Sequence, residues 1–339
     1  MSDIKLNIFD GFPDGLEKLT AENIKSYFDS PSLVFVKGKL DKPVFLSTLL
    51  HGNELSGLEV LKKIFKYSQE HILARDLIVF IGNVDACEKN QRFLDGQRDY
   101  NRIWSEGESP EHRLAKKVKE IVSDRKPFAC IDIHNNTGLN PLYACINALH
   151  NEYQYLASLF SRAIVYFQNP STALSVAFSQ ICPSVTVECG QSLDMAGVEK
   201  SYQFVLDTLN HSDLHHDSSK LDIKLYHTVV QVKIDENQEY DFFPNLEKLT
   251  FVDQFEQLNF TPLEPGFVFA TVNSPNVKLS LFDDDGVDLF NDYLELVDGQ
   301  LLLKRPVTPS MLTMNRSVIR KDCLGYFMEE VKKISSLIE

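Results

Sequence analysis

The sequence predicts a mixed α/β fold followed by a smaller β-rich domain, and three observations carry that expectation. Short apolar runs of strand type alternate with segments of helical spacing through residues 43–210. A polar stretch, His211-Ser212-Asp213-Leu214-His215-His216-Asp217-Ser218-Ser219, then interrupts the pattern. Beyond it, strand-like alternation and turn signals replace the helical periods. The domain expectation is therefore 1–217 for the α/β part and 218–339 for the β-rich part.

The elements follow in order. Pro43-Val44-Phe45-Leu46-Ser47-Thr48-Leu49-Leu50 reads as a buried strand ending at His51. Leu55, Leu58, Leu61, Ile64 and Phe65 then recur near helical spacing, with Lys62, Lys63 and Lys66 on the wet side. Leu77-Ile78-Val79-Phe80-Ile81 is a second strand, followed by an irregular arginine-bearing loop. Residues 110–124 place Leu114, Val118, Ile121 and Val122 on one helical face and lead into the strand Pro127-Phe128-Ala129-Cys130-Ile131-Asp132-Ile133. Ala163-Ile164-Val165-Tyr166-Phe167 precedes the strand Ser184-Val185-Thr186-Val187. Residues 194–210 repeat helical spacing through Met195, Val198, Tyr202, Val205 and Leu209. In the second part, Leu225 to Ile234 alternates as a strand, and Leu263-Glu264-Pro265-Gly266 marks a turn between β elements.

Composition narrows the function classes. At 339 residues and 43% hydrophobic content the chain exceeds one ordinary core, so a large and a smaller domain are expected. The formal net charge of −14, with no long basic run, argues against nucleic acid as a partner. The start Met1-Ser2-Asp3-Ile4-Lys5 shows no targeting pattern, and no stretch approaches eighteen uninterrupted apolar residues, so a cytoplasmic protein without a membrane partner is expected. Six cysteines without C-x-x-C spacing read as reduced core thiols. The histidines of 211–219 read as a solvated linker. Residues 283–288, Asp-Asp-Asp-Gly-Val-Asp, lack the remaining ligand spacing of a calcium loop and read as an acidic surface turn. Homo-oligomerisation is left open.

Three strands end in chemistry. His51-Gly52-Asn53-Glu54 follows the first, where positions i and i+3 in the first turn of a helix share a face. His134 closes the Asp132 strand, before Asn135-Asn136-Thr137-Gly138. Glu188 closes the third, before Cys189-Gly190. In open α/β sheets, reacting groups collect beyond the carboxyl ends of the strands. A catalytic zinc commonly takes two histidines and one glutamate and keeps a fourth position for water. His51, Glu54 and His134 supply such a set for one Zn²⁺ per chain, and Glu188 remains to handle a proton.

In this order the strand-HGNE entry, Arg98-Asp99-Tyr100-Asn101-Arg102, Asp132-Ile133-His134 and Val187-Glu188-Cys189-Gly190 resemble the succinylglutamate desuccinylase and aspartoacylase family, a branch of the zinc carboxypeptidase-like hydrolases. The resemblance covers residues 43–200. It implies a mixed-sheet zinc carboxypeptidase-like catalytic domain in which His51, Glu54 and His134 bind zinc and Glu188 is the general acid/base. It further implies that Asn101 and Arg102 hold a substrate carboxylate and that Arg92, in Gln91-Arg92-Phe93, polarises the scissile carbonyl. Two departures stand out. Tyr100 replaces the family's leucine, and the interval from Arg92 to Asp99 is longer than usual, with Gly96 and Gln97 marking an insertion. Arg98 therefore competes with Arg92 for the same role.

The reaction implied is hydrolysis of the amide of a small anionic N-acyl amino acid. Its chemistry needs a water activated near neutral pH, a group to return a proton to the leaving nitrogen, and a cation for the developing oxyanion. Guanidinium suits the substrate carboxylate because its paired N–H groups match two oxygens. Two other readings share these motifs: a metallocarboxypeptidase trimming peptide C-termini, and a zinc-stabilised binding protein without turnover.

Overall fold

The computed structural model describes residues 3–245, 248–272, 277 and 279–332. The chain divides into two compact units, Met1–Asn135 with Leu142–Ile223, and Asn136–Pro141 with Lys224–Glu339. The division falls six residues beyond the expected one at its main crossing. It also assigns the short segment after His134 to the second unit.

The first unit is built on eight strands: β1 (Asn7–Asp10), β2 (Ser32–Val36), β3 (Leu40–Thr48), β4 (Arg75–Ile81), β5 (Ala129–His134), β6 (Tyr143–Ile146), β7 (Ala163–Tyr166) and β8 (Ser184–Glu188). Their order is β1-β2-β4-β3-β5-β8-β6-β7. The central four, β4, β3, β5 and β8, are mutually parallel, while β2 and β6 run antiparallel to their central neighbours. The register pairs Ser47 with Asp132 and His134 with Glu188, so the ends of β3, β5 and β8 share one edge of the sheet.

Among the described residues, seven α-helices accompany these strands: α1 (Ile24–Tyr27), α2 (Ser56–Glu70), α3 (Val84–Glu88), α4 (Pro110–Ser123), α5 (Asn151–Phe160), α6 (Leu174–Ser179) and α7 (Met195–Asn210). Leu114, Ala115, Val118 and Val122 of α4 join Leu174, Ala177 and Phe178 of α6 over Phe45, Ile78, Phe80 and Cys130. Because side chains alternate along a strand, Leu46, Val79 and Ile131 face the other side. Helix α7 contacts both α2 and α5, and all three contact the strands. Both faces of the parallel core are thereby covered, as such strands require.

The second unit holds two sheets and is β-rich, as expected. One contains β9 (Lys224–Ile234), β13 (Leu279–Phe282), β16 (Thr308–Ser310) and β17 (Gly325–Glu330). The other runs β10 (Tyr240–Asp241), β11 (Leu249–Phe251), β12 (Val268–Thr271), β15 (Gln300–Leu303), β14 (Leu294–Val297). Among the described residues it also carries two short α-helices, α8 (Phe290–Tyr293) and α9 (Arg316–Lys321). Phe251, Phe255, Phe269 and Phe327 lie at the centre of its core, with the rings of Phe269 and Phe327 5.4 Å apart.

Some local expectations change and others hold. Strand β3 stops at Thr48, because Leu49 adopts a left-handed conformation (φ 57°) and turns the chain. The histidines after α7 are docked within the first unit. His216 stacks on Tyr155 at 3.7 Å, His211 Nε2 lies 3.0 Å from the Tyr155 hydroxyl, and Leu214 is buried. The sequence conceals this because the anchor, Tyr155, comes from α5, far earlier in the chain, and no local pattern in 211–219 points to it. The acidic turn at 283–288 is held by Asp283, whose carboxylate accepts the N–H groups of Asp285 and Val287. All six cysteines are buried free thiols. Among the described residues, no helix is long and apolar enough to cross a membrane.

Candidate metal and catalytic site

The first unit brings His51, Glu54 and His134 together. They are buried, and their ligand atoms all lie within 4.8 Å of one another, so the group can hold one metal ion. His51 Nδ1 is 2.6 Å from Glu54 Oε1, and His134 Nδ1 is 2.8 Å from Glu54 Oε2. The convergence of His51 and Glu54 arises in a turn, where the Glu54 N–H donates to the His51 carbonyl at 3.2 Å. It does not arise in the first turn of α2, which begins two residues later at Ser56. Gly52 makes that turn possible. A Cβ there would stand 2.2–2.6 Å from backbone atoms of Ala86, Cys87 and Gln91. Gly57 has the same role against Thr48, letting α2 start close to the end of β3.

Each imidazole turns its other nitrogen to an outer carboxylate. His51 Nε2 lies 3.0 Å from Asp99 Oδ1, and His134 Nε2 lies 2.8 Å from Asp132 Oδ2. Outer carboxylates of this kind fix the tautomer and orientation of metal-binding histidines. The donor set and its outer partners therefore fit a metal ion. Charge agrees with that fit. Burial disfavours the charged forms, yet the nearby His51 and His134 hold Glu54 well below the usual carboxylate range. His134 is likewise opposed by burial but raised by Asp132 and Glu54. Positive charge is what this arrangement stabilises.

Glu188 stands at the end of β8, in register with His134 and 7% exposed. Burial pushes its carboxyl up to about 7, with the charges of Glu54 and Asp132 adding to the rise and those of His134 and His51 opposing it. Among the described residues its Oε2 is buried without a hydrogen-bond partner. A carboxyl with a vacant oxygen and a titration near neutrality is equipped to accept and return a proton.

Arg92 lies beside the group. Its Nε is 3.2 Å and its Nη2 3.0 Å from Asp99 Oδ2, and its Nη1 is 3.8 Å from Glu54 Oε1. Arg98 is exposed, and its backbone N–H instead bonds to Glu111. The long interval between Arg92 and Asp99 is a turn in which the Gln97 N–H donates to the Leu94 carbonyl. Gln97 Oε1 accepts the Leu94 N–H and the side chain of Asn83, which itself caps α3. The extra residues thus return the chain, so that Asp99 meets both Arg92 and His51.

Asn101 and Arg102 follow in a turn started by Asp99. Asp99 Oδ1 accepts the Asn101 N–H at 2.8 Å, and the Asp99 carbonyl accepts the Arg102 N–H at 2.9 Å. Asn101 Oδ1 is committed to the Leu174 N–H at the start of α6, at 3.0 Å. One Arg102 N–H donates to the Asn101 carbonyl at 3.0 Å, and the Arg102 charge helps to lower Asp99. Tyr100 is buried in the same apolar cluster as Trp104, Phe80 and Phe178.

A model of the succinylglutamate desuccinylase/aspartoacylase catalytic domain matches residues 41–208. Residues 41–208 belong to that family. The family's matched span contains every residue of the site just described. A succinylglutamate desuccinylase of Shewanella frigidimarina is 25% identical over 280 residues, covering 72% of this chain and 77% of that protein. Murine aminoacylase 3 superposes with a TM-score of 0.60 at 15% identity, over 87% of this chain and 97% of that one. The succinylglutamate desuccinylase of Chromobacterium violaceum gives 0.57 at 17% identity, over 87% and 86%. These structures share the fold.

Sequence reasoning assigned no role to Asp99 or Asp132. For Asp132 a signal existed, since positions two apart on a strand share a face and place it beside His134. For Asp99 the signal was absent, because its partners, His51 and Arg92, lie across two turns.

Proposed function

We propose that this chain is a zinc-dependent hydrolase that cleaves the amide bond of a small anionic N-acyl amino acid. The observation that carries the reading is the meeting of a buried His51-Glu54-His134 group with Glu188 and Arg92 at one edge of the sheet. Family membership and relatives named as succinylglutamate desuccinylases support the substrate class.

Bound zinc would be held by His51, Glu54 and His134 and would supply Lewis-acid polarisation and a water of lowered pKa, about 7 in known hydrolases. Glu188 takes a proton from the attacking water and delivers it to the leaving nitrogen, which cannot depart as an amide anion. Arg92 meets the negative charge that develops on the carbonyl oxygen, with Asp99 holding the guanidinium in place. Arg102 pairs with the substrate carboxylate, and Asn101 assists through its amide N–H groups while its oxygen anchors α6. A binding protein without turnover has no use for a buried carboxyl with an unpartnered oxygen, and this favours the enzyme.

The direct test is release of free amine from a panel of N-succinyl and N-acetyl amino acids by the zinc-loaded protein. Turnover of one or more of these is expected, with C-terminally free dipeptides much poorer. Preferential trimming of peptides would move the reading to a carboxypeptidase, and zinc uptake without any turnover would move it to a binding protein.

The arginines separate cleanly. Losing one well-aimed oxyanion donor costs about 10²- to 10³-fold in rate, so Arg92→Ala should lower kcat by that order while Arg98→Ala stays within a few-fold of the parent. The reverse ranking would transfer the role to Arg98. For Arg102, charge-assisted hydrogen bonds are worth about 1.5–3 kcal/mol, so Arg102→Ala should lower kcat/KM roughly ten- to a hundredfold. With the substrate carboxylate replaced by a neutral amide, the parent should lose most of its advantage and Arg102→Ala little more. Equal losses in both proteins would show that Arg102 does not meet the carboxylate.

A further inference from the structure

Two of the three segments that carry the site are fixed by the sheet, since His134 and Glu188 face each other in the β5–β8 ladder. Glu54 has no such support. It sits in the turn before α2, outside that ladder, and is held by contacts from other segments.

The buried Asn135 supplies the link. Its backbone N–H donates to Glu54 Oε2 at 3.1 Å. Its side-chain oxygen accepts the Ser56 N–H at 3.2 Å, and its side-chain nitrogen donates to Ser56 Oγ and to the Gly190 carbonyl, each at 2.9 Å. Ser56 Oγ in turn accepts the Leu193 N–H at 3.0 Å, and Ser192 Oγ accepts the Leu55 N–H at 3.0 Å. The residues on the carboxyl side of Glu54 are thus fastened to the loop that follows Glu188. Asparagine suits the position because it combines an acceptor with two donor hydrogens on one planar group. An aspartate would lose both donors, and an apolar residue would leave buried groups of Ser56 and Gly190 unpaired.

We propose that Asn135 is a positioning residue, clasping Ser56 and Gly190 so that the Glu54 carboxylate stays registered with both histidines and with Glu188. The inference rests on the metal site of the proposed function but not on its substrate. Loss of partners outside the ligand set commonly costs ten- to a hundredfold in metal affinity or activity.

The test is equilibrium competition for Zn²⁺ between a chromogenic chelator and the full chain, carrying Asn135→Ala, Ser56→Ala or both. Asn135→Ala should bind zinc roughly ten- to a hundredfold more weakly, with a matching fall in kcat and little change in KM. The double variant should be no more than about threefold worse than Asn135→Ala, since both changes open one clasp. Affinity within twofold of the parent, or losses that multiply in the double variant, would overturn the proposal. Should Asn135→Ala fail to fold, Ser56→Ala decides alone: weaker zinc binding supports the clasp, and unchanged binding overturns it. Zinc bound by the parent without hydrolysis would remove the hydrolase reading and leave this one standing. A parent that takes up no zinc overturns both.

Discussion

Glu188→Gln is expected to retain stoichiometric zinc, the fold and a near-parent KM while losing about 10²- to 10⁴-fold in kcat, the usual contribution of a positioned acid/base. The substitution keeps the size and shape of a side chain that is 7% exposed, so the packing at the end of β8 is undisturbed. It removes only the capacity to take and return a proton. Burial already pushes the Glu188 carboxyl up to about 7, and a neutral amide therefore suits that environment without added desolvation cost. Steady-state kinetics beside elemental analysis separates the outcomes. Turnover close to the parent's would remove Glu188 from the proton path, and loss of zinc would make it a ligand.

The second large effect concerns the metal group. His51→Ala and His134→Ala should each empty the site and abolish turnover, because either change leaves only two of the three donors. The structure adds a consequence for stability. Removing His51 leaves Glu54 and Asp99 without the imidazole between them, and removing His134 does the same to Glu54 and Asp132. Buried carboxylates that lose a positive neighbour are costly, even though Arg92 still pairs with Asp99 and approaches Glu54, so both variants should melt below the parent at neutral pH and recover part of the difference as the pH falls and the acids are protonated. His112→Ala, at a histidine paired with Ser109 at the head of α4, serves as the control and should keep both zinc and activity. Stoichiometric zinc in both site variants would place the ligands elsewhere.

The parallel core was legible because its strands are apolar on both faces and read as continuous runs, as in Val44-Phe45-Leu46 and Leu77-Ile78-Val79-Phe80-Ile81. The long amphipathic helices α2, α4 and α7 announced themselves by period. In the first unit, strands β1, β2 and β6 and helices α1, α3, α5 and α6 give no such signal. They are short, and their place depends on neighbours distant in the chain, as when Tyr143 of β6 pairs with Glu188. The docking of His216 on Tyr155 was hidden for the same reason.

For the site, the sequence by itself determined the chemical inventory: two histidines and two glutamates at or just beyond strand ends, and arginines in one loop. Strand polarity makes that possible, since parallel strands must deliver their carboxyl ends to one edge. Only the tertiary structure decided which arginine approaches Glu54, because the choice depends on a turn at Leu94–Gln97 tied to Asn83 and not on residue type. Strand alternation alone could place Asp132 beside His134, whereas only the tertiary structure brought Asp99 to His51 and Asn135 to Glu54. Their action lies in hydrogen-bond distances across the fold, and such distances are set by how the elements pack, which no local pattern of residues encodes.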